Sequence, residues 1–166
     1  MNTFWAALSR ELQQEVPNAD EVAGAIVRLT AALLLSAIIG WNREEVKQSA
    51  GLRTHMLVGL GSALFTLVAM ETSGADGTTR VVQGIAAGIG FIGGGAILKN
   101  HDDGEVHGLT TAASVWMTAA IGVAAGMGKV GAAAMGVLFG WIVLSLLQRI
   151  KKAAYSDSSS SEPNKS

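Results

Sequence analysis

Arg28 is a full positive charge inside an otherwise apolar run, Val22–Trp41, whose only other polar side chains are Thr30 and Ser36. A guanidinium stays charged at any accessible pH, so within a bilayer it must reach headgroups, water, a carboxylate or an anionic ligand. Glu71 and Asp76 are the acids expected on its side, and snorkelling towards headgroups is the alternative. His55 is a titratable ring behind Arg53 and Thr54, suited to hydrogen-bonded packing first and to proton or metal work second. Glu44 and Glu45 stand within reach of Arg43, Lys47 and Arg53 and could fold that loop against the membrane, although solvated pairs of this kind contribute little. Gln83, Thr111 and Ser114 complete the polar candidates, and Ser62 and Ser114 carry hydroxyls of the kind that join helices within lipid.

The run from His101 to His107 gathers His101, Asp102, Asp103, Glu105 and His107 as five oxygen or imidazole ligands in seven residues. It follows neither the EF-hand loop nor the i, i+4 histidine pair of zinc proteases, so an exposed turn is preferred to a metal cage. The chain has no cysteine, which excludes thiolate metal sites and disulfides. No nucleophile has an adjacent base and no apolar stretch pairs two carboxylates, so neither an enzyme nor a cofactor is expected.

The elements that must position these residues are apolar helices. Of 166 residues, 49% are hydrophobic and only 15% charged, too little charge for an ordinary soluble domain. The fold class expected is all-α, a polytopic membrane protein of about five transmembrane helices. Residues 1–21 form an amphipathic or flexible leader, in which Phe4, Leu8, Leu12 and Val16 recur every four residues before Pro17. Asn18 and Glu21 have the spacing of a capping box for the first span. Residues 22–148 form the membrane domain, with spans at about 22–41, 52–70, 81–98, 108–127 and 130–148. Residues 149–166 form a basic and then low-complexity tail.

The third span, Arg80–Leu98, is charge-free for 18 residues after Arg80 and carries Gly84, Gly88, Gly90, Gly93, Gly94 and Gly95. In lipid such glycines let helix backbones approach closely, so this span is expected at the centre of the bundle. Gly122, Gly136 and Gly140 are expected to pack in the same way. Two further faces repeat at helical spacing: His55, Gly59, Ser62 and Thr66, and Thr111, Ser114, Thr118, Gly122 and Ala125. A hydrophilic loop at Asn42–Ala50, a turn at Ser73–Thr79 and a polar connector at Lys99–Val106 separate the spans. Gly51, Leu52, Thr54, Val58, Ala63 and Met70 recur 57 positions later as Gly108, Leu109, Thr111, Val115, Ala120 and Met127, a parallel internal echo.

Orientation follows from the Lys/Arg distribution. Arg43, Lys47, Arg53, Lys99, Arg149, Lys151, Lys152 and Lys165 fall on one side, eight in all, against Arg10, Arg80 and Lys129 on the other. The N-terminus is therefore expected outside and the C-terminus in the cytoplasm. The acidic leader is the wrong charge for a cleavable signal, so the first span is expected to act as an uncleaved anchor.

Four stretches resemble the MgtC/SapB family of bacterial inner-membrane proteins: Gly40–Glu44 (GWNRE), Ala50–His55 (AGLRTH), Arg80 with Gly88–Lys99 (GIGFIGGGAILK), and Val106–Gly126 (VHGLTTAASVWMTAAIGVAAG). Together they span roughly residues 25–145. The resemblance implies a five-helix hydrophobic domain, an arginine in the first span, links to growth in low magnesium and to survival of pathogens inside host cells, and modulation of other membrane machinery. It brings no established catalytic activity. Asn42 stands where the family commonly has an acid, and only Lys151–Ser166 stands where the virulence-associated branch adds a soluble domain.

Two function classes remain. The first is a non-enzymatic inner-membrane protein acting in magnesium or envelope-stress homeostasis, whose glycine faces contact other membrane proteins. Its expected partners are membrane lipids, membrane proteins and a second copy of itself, with no nucleic acid. The second is a small transporter or channel, the two small polar faces lining a path gated near Arg28. Against it, no span holds a carboxylate at mid-depth, and Arg28 would repel a cation.

Overall fold

The computed structural model describes residues 4–6, 9, 18–99 and 106–159. Of the leader, residues 4–6 and 9 are helical, with the Phe4 and Trp5 rings in edge contact at 5.6 Å. Four helices follow: α1 (Ala19–Glu45), α2 (Leu52–Gly95), α3 (Leu109–Gly126) and α4 (Val130–Ser159). A two-rung antiparallel ladder, β1 (Leu98–Lys99) with β2 (Val106–His107), joins α2 to α3. The first three helices are each long and apolar enough to cross a membrane, and Val130–Leu146 is a shorter apolar helix.

α2 is two limbs. Gly74 interrupts it at φ 61°, ψ −165°, a region that is essentially glycine's alone because a Cβ would clash with the backbone. Each limb is about 32 Å long at 1.5 Å per residue, close to the thickness of a bilayer core. The limbs run in opposite directions, as their neighbours on α3 show. His55 meets Ser114 near the start of α3 and Ala63 meets Gly126 at its end, whereas Gly93 meets Ala112 near the start. Thus residues 52–73 lie parallel to α3 and residues 75–95 antiparallel. The parallel pair are the two segments of the internal echo, and each starts on a glycine N-cap, Gly51 and Gly108.

With α2 folded back, the described residues make five apolar segments, an all-α membrane protein. The broad turn expected over Ser73–Thr79 shrinks to Gly74, with helix on both sides. Thr78 and Thr79 hydroxyls donate back to Gly74 O and Ala75 O at 2.7 and 3.0 Å, and Ser73 packs on Gly77. The third segment ends at Gly95 rather than at 98, and α4 continues to Ser159, into the stretch expected to be irregular.

The centre of the bundle is α3, not the glycine-rich limb. Half of its 18 residues are buried, and it packs on α1, both limbs of α2 and α4. Close approach occurs where glycine sits on this helix or faces it. A Cβ on Gly122 would run into Gly59 O and lie 2.9 Å from Ser62 Cβ, and one on Gly126 would lie 2.6 Å from Ala63 O. Gly40 is similarly tight against Leu52 Cα at 2.9 Å. By contrast, Gly84, Gly88, Gly90, Gly94 and Gly95 have nothing within 4 Å of a notional Cβ. Only Gly93 of that set meets a neighbour, Ala112 at 3.6 Å. Gly136 and Gly140 make ordinary contacts with Ile121, Met117 and Ile39. The physical reason is the fold of α2: its C-terminal limb meets α3 through Ile89 and Gly93, while Gly84 and Gly88 open on an unfilled cleft between the two limbs.

Candidate functional site

A buried polar cluster forms where the end of α1, the start of α2 and the start of α3 meet. Ala32, Ser36, Ile39 and Arg43 share the inward face of α1, and the last of these carries a guanidinium that is 2% exposed. Arg43 Nη2 donates to Thr111 Oγ1 at 3.3 Å, and Thr111 Oγ1 donates to Gln48 Oε1 at 3.1 Å. Arg43 Nε is buried with no hydrogen-bond partner. A buried charge is costly unless paired, yet no carboxylate of the described residues forms an ion pair with it.

His55 is fully buried beside this group. Its Nδ1 lies 2.8 Å from Gly51 O, which can only accept, so Nδ1 carries the proton. Nε2 lies 3.1 Å from Ser114 Oγ, whose hydroxyl is also 2.8 Å from Thr111 O. That hydroxyl has one hydrogen to serve both acceptors. His55 is thereby held at both nitrogens across two helices, a hydrogen-bonded packing role.

Glu44 and Glu45 do not pair with Arg43, Lys47 or Arg53. Gly51 has no side chain with which to cap α2, and Glu44 does so from α1 instead: Leu52 N donates to Glu44 Oε2 at 2.9 Å. A carboxylate is well placed there, facing the positive end of the helix. Glu45 accepts from Trp41 Nε1 at 2.9 Å. Arg53 is exposed and lines a surface hollow with Trp41, Glu44, Glu45 and Leu52.

The structure gathers Glu44, His55, Thr111 and Ser114, and separates Arg28 and Gln83 from them. Gln83 is exposed on the C-terminal limb of α2. Arg28 lies at the opposite end of the bundle and pairs with neither Glu71 nor Asp76. Its Nε and Cζ sit 3.3 and 3.5 Å from where Gly128 would carry a Cβ, so the charge rests against the last turn of α3, whose carbonyls favour a cation. Of the proposed metal run, His101, Asp102, Asp103 and Glu105 lie outside the described residues. His107 is in β2, and among the described residues no three His, Cys, Asp or Glu side chains are grouped to hold a metal.

The polar faces expected to line a path instead face one another in contact. His55, Gly59, Ser62 and Thr66 are all buried, as are Thr111, Ser114, Thr118, Gly122 and Ala125. At mid-depth they meet as Gly59 against Gly122, backbone to backbone. Open space lies elsewhere, in a cleft of about 600 Å³ between the two limbs of α2, lined by Leu57, Gly61, Phe65, Gly84, Gly88 and Ile92 among others.

Arg43 is the residue that sequence reasoning missed. Its signal was the spacing Ala32, Ser36, Ile39, Arg43, which extends the small inward face of α1 by one more turn.

The sequence profile of the MgtC family matches residues 29–153. Protein SrpB of Synechococcus elongatus is 40% identical over 144 residues, covering 80% of this chain and 79% of that protein. Protein MgtC of Brucella abortus is 42% identical over 120 residues, covering 72% of this chain and 50% of its own length. Protein MgtC of Salmonella typhimurium is 45% identical over 104 residues, covering 63% and 44%. The chain thus spans about half the length of these two MgtC relatives, and no solved structure matches it.

Proposed function

The chain belongs to the MgtC family, and from that premise we propose that it serves adaptation to low magnesium or envelope stress in the bacterial inner membrane by contacting other membrane proteins. The N-terminus faces outward and the C-terminus the cytoplasm. The observation that carries this reading is the unfilled glycine surface of the C-terminal limb of α2, where Gly84 and Gly88 open on the cleft between the limbs. A Cβ at Gly84, Gly88, Gly90, Gly94 or Gly95 would meet nothing within 4 Å, and Phe91 on the same limb is 88% exposed. Lipid tails are as apolar as leucine, so such a face gives little advantage against lipid but lets another helix approach to backbone distance.

The buried faces of α2 and α3 are packed against one another, which leaves the transporter reading without support of its own. Site-specific photocrosslinking in the native membrane tests the proposal. A crosslinker at Phe91 should yield a discrete protein adduct, and one at Leu138, on the exposed face of α4, should not. Lipid adducts alone from Phe91 would count against a protein contact there. Flux of magnesium or protons into proteoliposomes carrying the full chain should not exceed that of empty vesicles.

A further inference from the structure

Among the described residues no negative charge meets the start of α3, and we propose that Arg43, Thr111 and the first turn of α3 form an oxyanion site for a phosphate group, covered in this structure by Gln48. Arg43 presents five N–H donors, of which one is used among the described residues, on a neutral hydroxyl at 3.3 Å, while Nε is buried and unpartnered. The acids next to Arg43 in sequence are occupied elsewhere, Glu44 on Leu52 N and Glu45 on Trp41.

The first turn of α3 points the same way independently. Its N-cap is Gly108, which has no side chain to satisfy the leading N–H groups, and no acid stands in that turn. Among the described residues, the positive end of an 18-residue helix therefore meets a buried guanidinium without a counter-charge, an arrangement that favours an anion. Thr111 bridges the two, accepting from Arg43 and donating to Gln48 Oε1. The carboxamide oxygen of Gln48 stands where an anionic oxygen would accept, but it brings no charge.

The cover lies at the surface. Lys47, Gln48 and Ser49 are exposed, and Lys47 takes the left-handed φ of 51° that is uncommon for a residue with a side chain. Displacing Gln48 frees the Thr111 hydroxyl from its acceptor, Gln48 Oε1. A phosphate group fits because a guanidinium can give two parallel hydrogen bonds to it. Either free phosphate or a phospholipid headgroup supplies that chemistry at the end of a membrane bundle.

The full chain in a maltoside detergent, which carries no phosphate, separates these outcomes. Its thermal midpoint is followed against inorganic phosphate, against chloride at equal ionic strength, and against phosphatidylglycerol beside an uncharged glycolipid. A saturable rise with inorganic phosphate beyond that with chloride supports the site and assigns a soluble anion. A rise with phosphatidylglycerol alone supports it and assigns a headgroup. Arg43→Gln should lose the response. Because that variant risks misfolding, Gln48→Glu is the second test: its carboxylate supplies the missing charge, so the midpoint should rise and the response to phosphate disappear. The proposal is overturned if neither phosphate nor phosphatidylglycerol exceeds its control, or if Gln48→Glu lowers the midpoint.

Discussion

Gly122→Ala and Gly88→Ala are the same chemical change on two helices, and the fold predicts opposite results. A methyl group at Gly122 would overlap Gly59 O and lie 2.9 Å from Ser62 Cβ, where carbon atoms normally rest about 3.5–4.0 Å apart. The obstacle is mostly backbone, so α3 and the first limb of α2 must separate by roughly 1 Å, which forfeits a quarter to a half of each dispersion contact along the seam. Overpacking of this kind costs about 1–3 kcal/mol, and the better helix propensity of alanine recovers about 1 kcal/mol at most. At Gly88 nothing lies within 4 Å, so only the propensity gain of about 1 kcal/mol is left. Thermal unfolding in detergent, read by tryptophan fluorescence with size-exclusion homogeneity alongside, should show Gly122→Ala well below the parent and Gly88→Ala equal to it or slightly above. Equal damage at both positions would refute the assignment of α3 as the central helix.

Gly74→Ala should lower the yield of folded protein, since φ 61° with ψ −165° costs a residue with a Cβ about 1–3 kcal/mol; unchanged yield would mean that the limbs do not fold back there. Arg28→Gln should lose about 0.3–1 kcal/mol of helix-end stabilisation and Arg28→Lys should restore most of it, measured as abundance and thermal midpoint; a folded, abundant Arg28→Lys that fails to support growth in low magnesium would instead give the guanidinium a specific role. Reporter fusions should place Gln48 and Ser160 in the cytoplasm and Gly77 outside, and a cytoplasmic Gly77 would reverse the orientation.

The helices were legible because lipid imposes long apolar runs, and the two inward faces were legible because small polar residues recur every three to four positions from His55 to Thr66 and from Thr111 to Ala125. The role of the glycines was not. Gly59 and Gly122 support backbone contact while Gly84 and Gly88 line an unfilled cleft, and nothing local distinguishes them, since a missing side chain looks the same in either setting. Arg43 was read as a loop residue because its charge ends the apolar run, although the helix continues to Glu45. The Gly74 fold was blurred by Asp76 and Gly77, which resemble a loop but sit within helix once the Ser73 side chain packs on Gly77. The capping of α2 by Glu44 depends on a contact eight residues apart across a turn, beyond the reach of helical periodicity.

We propose that the glycine surface of the C-terminal limb of α2 acts by contact with other membrane proteins. Growth in low magnesium, measured in a strain lacking the protein and supplied with Gly88→Leu at parental abundance, tests it most directly. A Cβ at Gly88 meets nothing within 4 Å and the leucine has the open cleft of about 600 Å³ to occupy, so the variant should fold, reach the membrane and yet fail to restore growth. Full growth on Gly88→Leu would contradict the claim.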